Sequence, residues 1–141
     1  MSRTPVQLAA LVVGATFLLV GILGFVPGIT TGGLTFAGHT SDAALLGIFQ
    51  VSVLHNLVHL AFGVLGLALS RTAAGSRTFL TVGGVVYLVL TAYGLAIDHD
   101  SAVNFVPVNG ADNVLHLVLG VGMLGLGLAL GKTRTDSAAL R

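Results

Sequence analysis

Four long stretches without a single Asp, Glu, Lys or Arg, at residues 6–26, 43–69, 79–97 and 113–130, constrain this chain more than any other feature. Each approaches or exceeds the roughly 20 residues that a helix needs to cross a hydrocarbon core. Between them lie breakers and polar residues: Pro27, Gly28, Gly32 and Gly33 in the first connection, 70–77 in the second, and Pro107 with Asn109-Gly110 in the third. The pattern predicts an all-α, four-transmembrane-helix bundle forming a single integral membrane domain. A soluble alternative fails on composition. Only 8% of the 141 residues are charged, against about 25% in soluble domains, and one small core cannot hide the remaining apolar surface. The expected partner of that surface is the lipid bilayer.

The few charges segregate. Arg3, Arg71, Arg77, Lys132, Arg134 and Arg141 fall on one side of a four-pass topology, whereas Asp42, Asp98, Asp100 and Asp112 fall on the other; only Asp136 joins the basic tail. The positive-inside rule then predicts that both termini are cytoplasmic. Phe25 and Tyr93 stand near the outer helix ends, as interfacial aromatics do. A cleaved signal peptide is the competing reading of the first stretch. The weakly basic start and the missing small-x-small cleavage site argue against it. The net charge of +1 gives no reason to expect a nucleic-acid partner. With no cysteine, disulfides, thiolate metal sites and thiol nucleophiles are excluded.

An internal repeat is also predicted. His55-Asn56-Leu57-Val58-His59-Leu60-Ala61-Phe62-Gly63-Val64 in the second stretch matches Asp112-Asn113-Val114-Leu115-His116-Leu117-Val118-Leu119-Gly120-Val121 in the fourth. The first and third stretches pair Gly14 with Gly84, Phe17 with Tyr87 and Gly24 with Gly94. Two helical hairpins related by a pseudo-two-fold axis along the membrane normal account for both matches. Glycine stripes such as Gly14, Gly21 and Gly24 then read as packing faces, since apolar side chains gain nothing by leaving lipid for one another.

The second stretch carries the chemistry. Ser52, His55, Asn56 and His59 follow a helical stripe and should point into the bundle with Asn113 and His116. Equal helix starts would put His59, seventeen residues beyond Asp42, and His116, four beyond Asp112, roughly 20 Å apart in depth. The repeat register instead puts them at one depth. It makes 41–50 an outer helical extension of the second helix, with Ser41 or Asp42 as N-cap. Facing imidazoles permit three readings. The polar cluster is interhelical glue. His59 and His116 ligate a b-type haem, or His59, His116 and His55, with Asp112 a further candidate, hold a transition metal. A proton or ion pathway is the third, opposed by the glycine and aliphatic residues on the inner half of the face.

Several runs carry a family resemblance. They are Arg3-Thr4-Pro5-Val6-Gln7, Pro27-Gly28-Ile29-Thr30, Leu34-Thr35-Phe36-Ala37-Gly38-His39, Phe49-Gln50-Val51-Ser52-Val53-Leu54-His55-Asn56-Leu57-Val58-His59, Asn104-Phe105-Val106-Pro107 and Ala111-Asp112-Asn113-Val114-Leu115-His116. Together they resemble domain-of-unknown-function family 4383, small four-pass membrane proteins found largely in actinobacteria. The resemblance spans nearly the whole chain and implies a bacterial cytoplasmic (inner) membrane protein. It brings no reaction, substrate or cofactor. The chain has no Glu and lacks a supported nucleophile triad or phosphate loop. The expected class is therefore non-enzymatic: a structural or accessory subunit contacting a membrane partner or a second copy of itself, with haem or metal binding as the competing class.

Overall fold

A computed structural model describes residues 2–131. Lys132, Arg134, Asp136 and Arg141, on which part of the charge asymmetry rests, lie outside the described residues. Four helices, α1 (Pro5–Leu23), α2 (Val53–Leu69), α3 (Ala73–Ala96) and α4 (Gly110–Leu130), are joined by two long connections and one short one. Each start carries its own cap. Thr4 and Gln7 form a capping box with Pro5 at the first helical position, Ser52 and Thr72 cap α2 and α3, and Asn109 and Asp112 form a second capping box on α4.

The helices invert the burial pattern of a soluble bundle. Leu8, Val12, Leu19, Val64, Val82, Val89, Val118 and Val121 face outward, while the buried face of each helix is largely small or polar: Gly14 and Gly21 on α1, Gly63 and Gly66 on α2, Gly83 and Gly84 on α3, Gly120 and Gly127 on α4. Helices α1, α3 and α4 are long and apolar enough to cross a membrane. With 17 residues, α2 is about 26 Å long, slightly short of a hydrocarbon core of roughly 30 Å.

Close backbone contact organises the bundle into two antiparallel hairpins, α1 with α2 and α3 with α4. A Cβ on Gly14 would come within 2.9 Å of the Leu67 backbone nitrogen, and one on Gly84 within 2.6 Å of the Leu124 nitrogen. Gly63 meets Leu18 as Gly120 meets Leu88. One end of the bundle holds the short α2–α3 turn, where the Gln7 side chain donates to the Ser70 and Arg71 carbonyls at 3.2 and 2.8 Å. The other end holds both long connections and is called here the loop end.

At the loop end the sequence expectation needs correction. Residues 41–50 are not a helical extension of α2. Strands β1 (Thr30–Thr31), β2 (Ala44–Leu45) and β3 (Phe49–Gln50) form a small antiparallel sheet in the order β1-β2-β3. Leu46 and Gly47, at φ 55° and 69°, turn the chain between β2 and β3 with the consecutive positive φ values that suit a tight hairpin. Ala43, Leu45 and Val51 pack on Val20, Leu23, Ile29 and Phe49, so the run is apolar because it roofs the bundle. The cap of α2 is accordingly Ser52, neither Ser41 nor Asp42. Ser41 instead donates to the Val51 carbonyl at 2.6 Å. Arg77 also moves: it lies inside α3, which begins at Ala73, whereas the sequence reading set 70–77 apart as a connection.

The glycine contacts give a stability prediction. Gly84→Ala should destabilise the protein by about 1–3 kcal/mol, because backbone cannot yield as a flexible side chain does. Gly122→Ala, whose added Cβ would enter open space inside α4, should be neutral or stabilise the protein by up to about 1 kcal/mol. Thermal unfolding of both variants in the same detergent compares them.

Candidate functional site

The loop-end connections aim α2 at the middle of the bundle. The first N–H groups of a helix lack intrahelical partners, and here Val53 and Leu54 donate theirs to the Thr35 and Phe36 carbonyls at 3.0 and 2.8 Å. His55 donates its own to Ser52 Oγ at 3.1 Å. The second connection closes on Asn104, a fully buried side chain. Its amide donates to the His99 and Val108 carbonyls and its oxygen accepts from the Val108 N–H, each at 3.0 Å. This turn delivers the Pro107 carbonyl to His55, whose Nδ1 lies 2.8 Å away. A carbonyl only accepts, so Nδ1 carries the proton and Nε2 keeps its lone pair.

The three histidines singled out from sequence converge. His55, His59 and His116 each offer a ring nitrogen, and these nitrogens lie within 4.8 Å of one another. All three rings are buried. The His55 ring centroid is 5.1 Å from that of His59 and 6.2 Å from that of His116. Below them Phe17 and Tyr87 stack at 5.3 Å and 19°. Phe17 meets His59 edge-on at 5.5 Å, and Tyr87 meets His116 edge-on at 5.1 Å. This aromatic pair, with Phe62 beside it, separates the histidines from the rest of the core.

Ser52, Asn56, Asn113 and Asp112, and the two histidines outside the trio, take other positions. Ser52 is the α2 cap. Asn56 and Asn113 seat their side-chain oxygens against Gly24 and Gly94, where any Cβ would collide with them. His99 donates from Nε2 to the Gly94 carbonyl at 2.7 Å, with Asn113 Nδ2 3.4 Å from the same nitrogen, and does not join the trio. His39 contributes its carbonyl to the Gln50 side chain. Asp112 is buried and accepts from the Asn109 and Gln50 backbone N–H groups at 2.9 and 3.0 Å through Oδ2.

The polar atoms do not pair as glue requires. His59 Nδ1, His116 Nδ1, Asn56 Nδ2 and Asn113 Oδ1 are buried without a hydrogen-bond partner among the described residues. Leaving a polar group unpaired in a medium of low dielectric costs roughly 1–3 kcal/mol by mutational measures. Two cavities adjoin the trio. One of about 210 Å³ is lined by His55, His59, His116 and Asp112 among others. A second, of about 440 Å³, runs from the same three histidines past Tyr87 toward Tyr93 and Phe105.

Asn104 and the Pro107 carbonyl are the functional supports that sequence reasoning missed. Asn104 did carry a usable signal, since a short polar side chain in a tight loop commonly bonds nearby backbone. Asn104→Ala would strand the buried N–H and carbonyl of Val108 and the half-buried carbonyl of His99. The expected cost is at least about 2 kcal/mol, read as a lowered midpoint of thermal unfolding.

No curated protein and no solved structure matches the chain. Residues 7–129 match the family described as Domain of unknown function (DUF4383), and the chain belongs to that family.

Proposed function

We propose that this is a non-enzymatic integral membrane protein that holds one divalent transition-metal ion on His55, His59 and His116. One observation carries the reading: three buried imidazole nitrogens lie within 4.8 Å of one another, and two of the rings have an Nδ1 with no partner among the described residues. Imidazole suits zinc, copper, iron and nickel. Tetrahedral coordination at about 2.0–2.1 Å asks for nitrogens roughly 3.3 Å apart, so the cluster needs to contract by no more than about 1.5 Å. The His55–Pro107 hydrogen bond is the kind of outer contact that orients a ligating imidazole.

Haem fits less well. A haem would be held by His59 and His116 alone and would leave the third ring nitrogen, that of His55 within 4.8 Å of both, without a role. A proton path meets the Phe17–Tyr87 stack directly below the trio. Catalysis is not proposed: the chain has no Glu, and the nearby Asp112 is engaged in capping α4.

The same reading uses two hairpin copies, four crossings and cytoplasmic termini. Equivalent contacts support the repeat: Gly14 on Leu67 and Gly84 on Leu124, Gly24 on Asn56 and Gly94 on Asn113, Gly63 on Leu18 and Gly120 on Leu88. The Phe17–His59 and Tyr87–His116 pairs extend it to the site. Because α2 lies antiparallel against α1, it crosses with it. Its small deficit in length is met by local thinning or by the residues that precede it. Arg3, Arg71 and Arg77 belong to the turn end and the acids Asp42, Asp98, Asp100 and Asp112 to the loop end, which favours a cytoplasmic turn end.

Purified protein should bind about one equivalent of Zn(II) or Co(II), measured by metal analysis after gel filtration. His59→Ala and His116→Ala should each abolish stoichiometric binding, while His39→Ala should retain it. Affinity should fall as the medium is acidified, because protons compete for the nitrogens that bind the ion. A cysteine-free chain makes the orientation directly testable: Ser101→Cys should react with an impermeant maleimide from outside intact cells, and Thr72→Cys should react only after lysis.

A further inference from the structure

The cavity of about 440 Å³ beside the histidines has two unlike ends. Its floor is His55, His59 and His116, which are 4%, 6% and 3% exposed, whereas Val89, Phe105 and Tyr93 at the other end are 62%, 57% and 43% exposed. Val89 lies seven residues before the end of α3, about 10 Å into the helix. The mouth is therefore on the lipid-facing surface of the bundle, between α3 and the second long connection. Its wall is apolar and aromatic, with Tyr87 buried along it. Water-soluble ligands gain nothing from such an approach. A molecule already dissolved in the bilayer meets it directly.

The charge at the floor selects the ligand further, given the three-histidine metal site proposed above, on which this inference rests. Three imidazoles that bind as neutral ligands leave a divalent ion short of two negative charges. Asp112, which lines the adjoining smaller cavity, supplies one at most. Three protein ligands also leave a coordination position open. An anionic oxygen donor carried on an apolar ring satisfies the charge, the open position and the wall together.

We infer that the cavity is a lateral binding site through which a lipid-soluble phenol, or a quinol of the same ring chemistry, enters from the bilayer and ligates the metal as its phenolate. On binding, the metal–oxygen bond forms, the O–H bond breaks and the proton leaves to water at the loop end. No electron is transferred. The ring lies along Tyr87, Tyr93 and Phe105, where offset or edge-on packing is favourable.

The test uses Co(II)-loaded protein in lipid nanodiscs, titrated with 4-butylphenol and, separately, with azide as a small water-soluble anion. The Co(II) absorption bands report only the metal, so phenol dissolved elsewhere in lipid is silent. The inference expects saturable band shifts with 4-butylphenol. Val89→Trp, which fills the mouth, should weaken phenol binding at least tenfold and leave azide binding within twofold. Val118→Trp, on the lipid face of α4 away from the cavity lining, should behave as the unmodified protein. Co(II) that binds stoichiometrically but ignores 4-butylphenol in the unmodified protein overturns this inference and leaves the metal site standing. Unchanged phenol binding in a Val89→Trp protein with the normal Co(II) spectrum overturns the lateral route. Failure to bind Co(II) at all overturns the metal site and this inference together.

Discussion

Backbone contact through glycine is the constraint on which the rest of this structure depends. In lipid, helices gain nothing by burying leucine against leucine, so association relies on dispersion at close range and on polar contacts. Gly14 against Leu67 and Gly84 against Leu124 bring α1 to α2 and α3 to α4 until backbones touch. With the apolar side chains turned outward, the inner faces are left to small and polar residues. The histidines are therefore inside because the leucines and valines have a better solvent outside. Their register follows as well: a hairpin held by Gly63 on Leu18, or Gly120 on Leu88, fixes the height of the histidine one turn away.

The loop end supplies what glycine packing cannot, which is the rotation of individual rings. Asn104 shapes the second connection, Pro107 presents a carbonyl, and the proton on His55 Nδ1 is thereby assigned. The first connection does the equivalent for the backbone of α2, with Thr35 and Phe36 taking the place of water at its first turn. Gln50 then ties the two halves together by donating its backbone N–H to Asp112. Apart from the local turn of Asn104, these contacts join segments far apart in sequence and link backbone to side chain or backbone to backbone.

That difference explains what the sequence made legible. The positions of α1, α3 and α4 and the convergence of His55, His59 and His116 could be read because helical periodicity and a lipid-like composition are local properties. The segment 41–50 could not. An apolar run preceding a helix looks the same whether it prolongs the helix or folds into β2 and β3 over Val20 and Leu23, and Gly47 alone does not announce a hairpin. The start of α3 was hidden for the opposite reason. Ser76 and Arg77 look like loop residues, yet Thr72 caps a helix that carries them, with the Ser76 hydroxyl bonded back to the Thr72 carbonyl at 2.7 Å. Asn104 marks a turn by its residue type, but nothing in the residue pattern tells which carbonyl that turn presents to His55.

The asymmetry between the two hairpins is where a binding site becomes more than packing. Phe17 and Tyr87 stack across the middle, and each supports the histidine of its own hairpin. One turn nearer the loop end, however, α2 carries His55 and α4 carries Asp112, the positions that the proposed repeat would pair. The imidazole is held with its unprotonated nitrogen free, while the carboxylate is held by the backbone of Asn109 and Gln50. A symmetric pair of histidines would give two donors and no compensating charge. Having one further imidazole on one side and one carboxyl group on the other gives three nitrogen donors with an ionisable acid beside the same cavity. In a medium where an uncompensated divalent charge is costly, the difference between His55 and Asp112 is what would make the proposed metal tenable there.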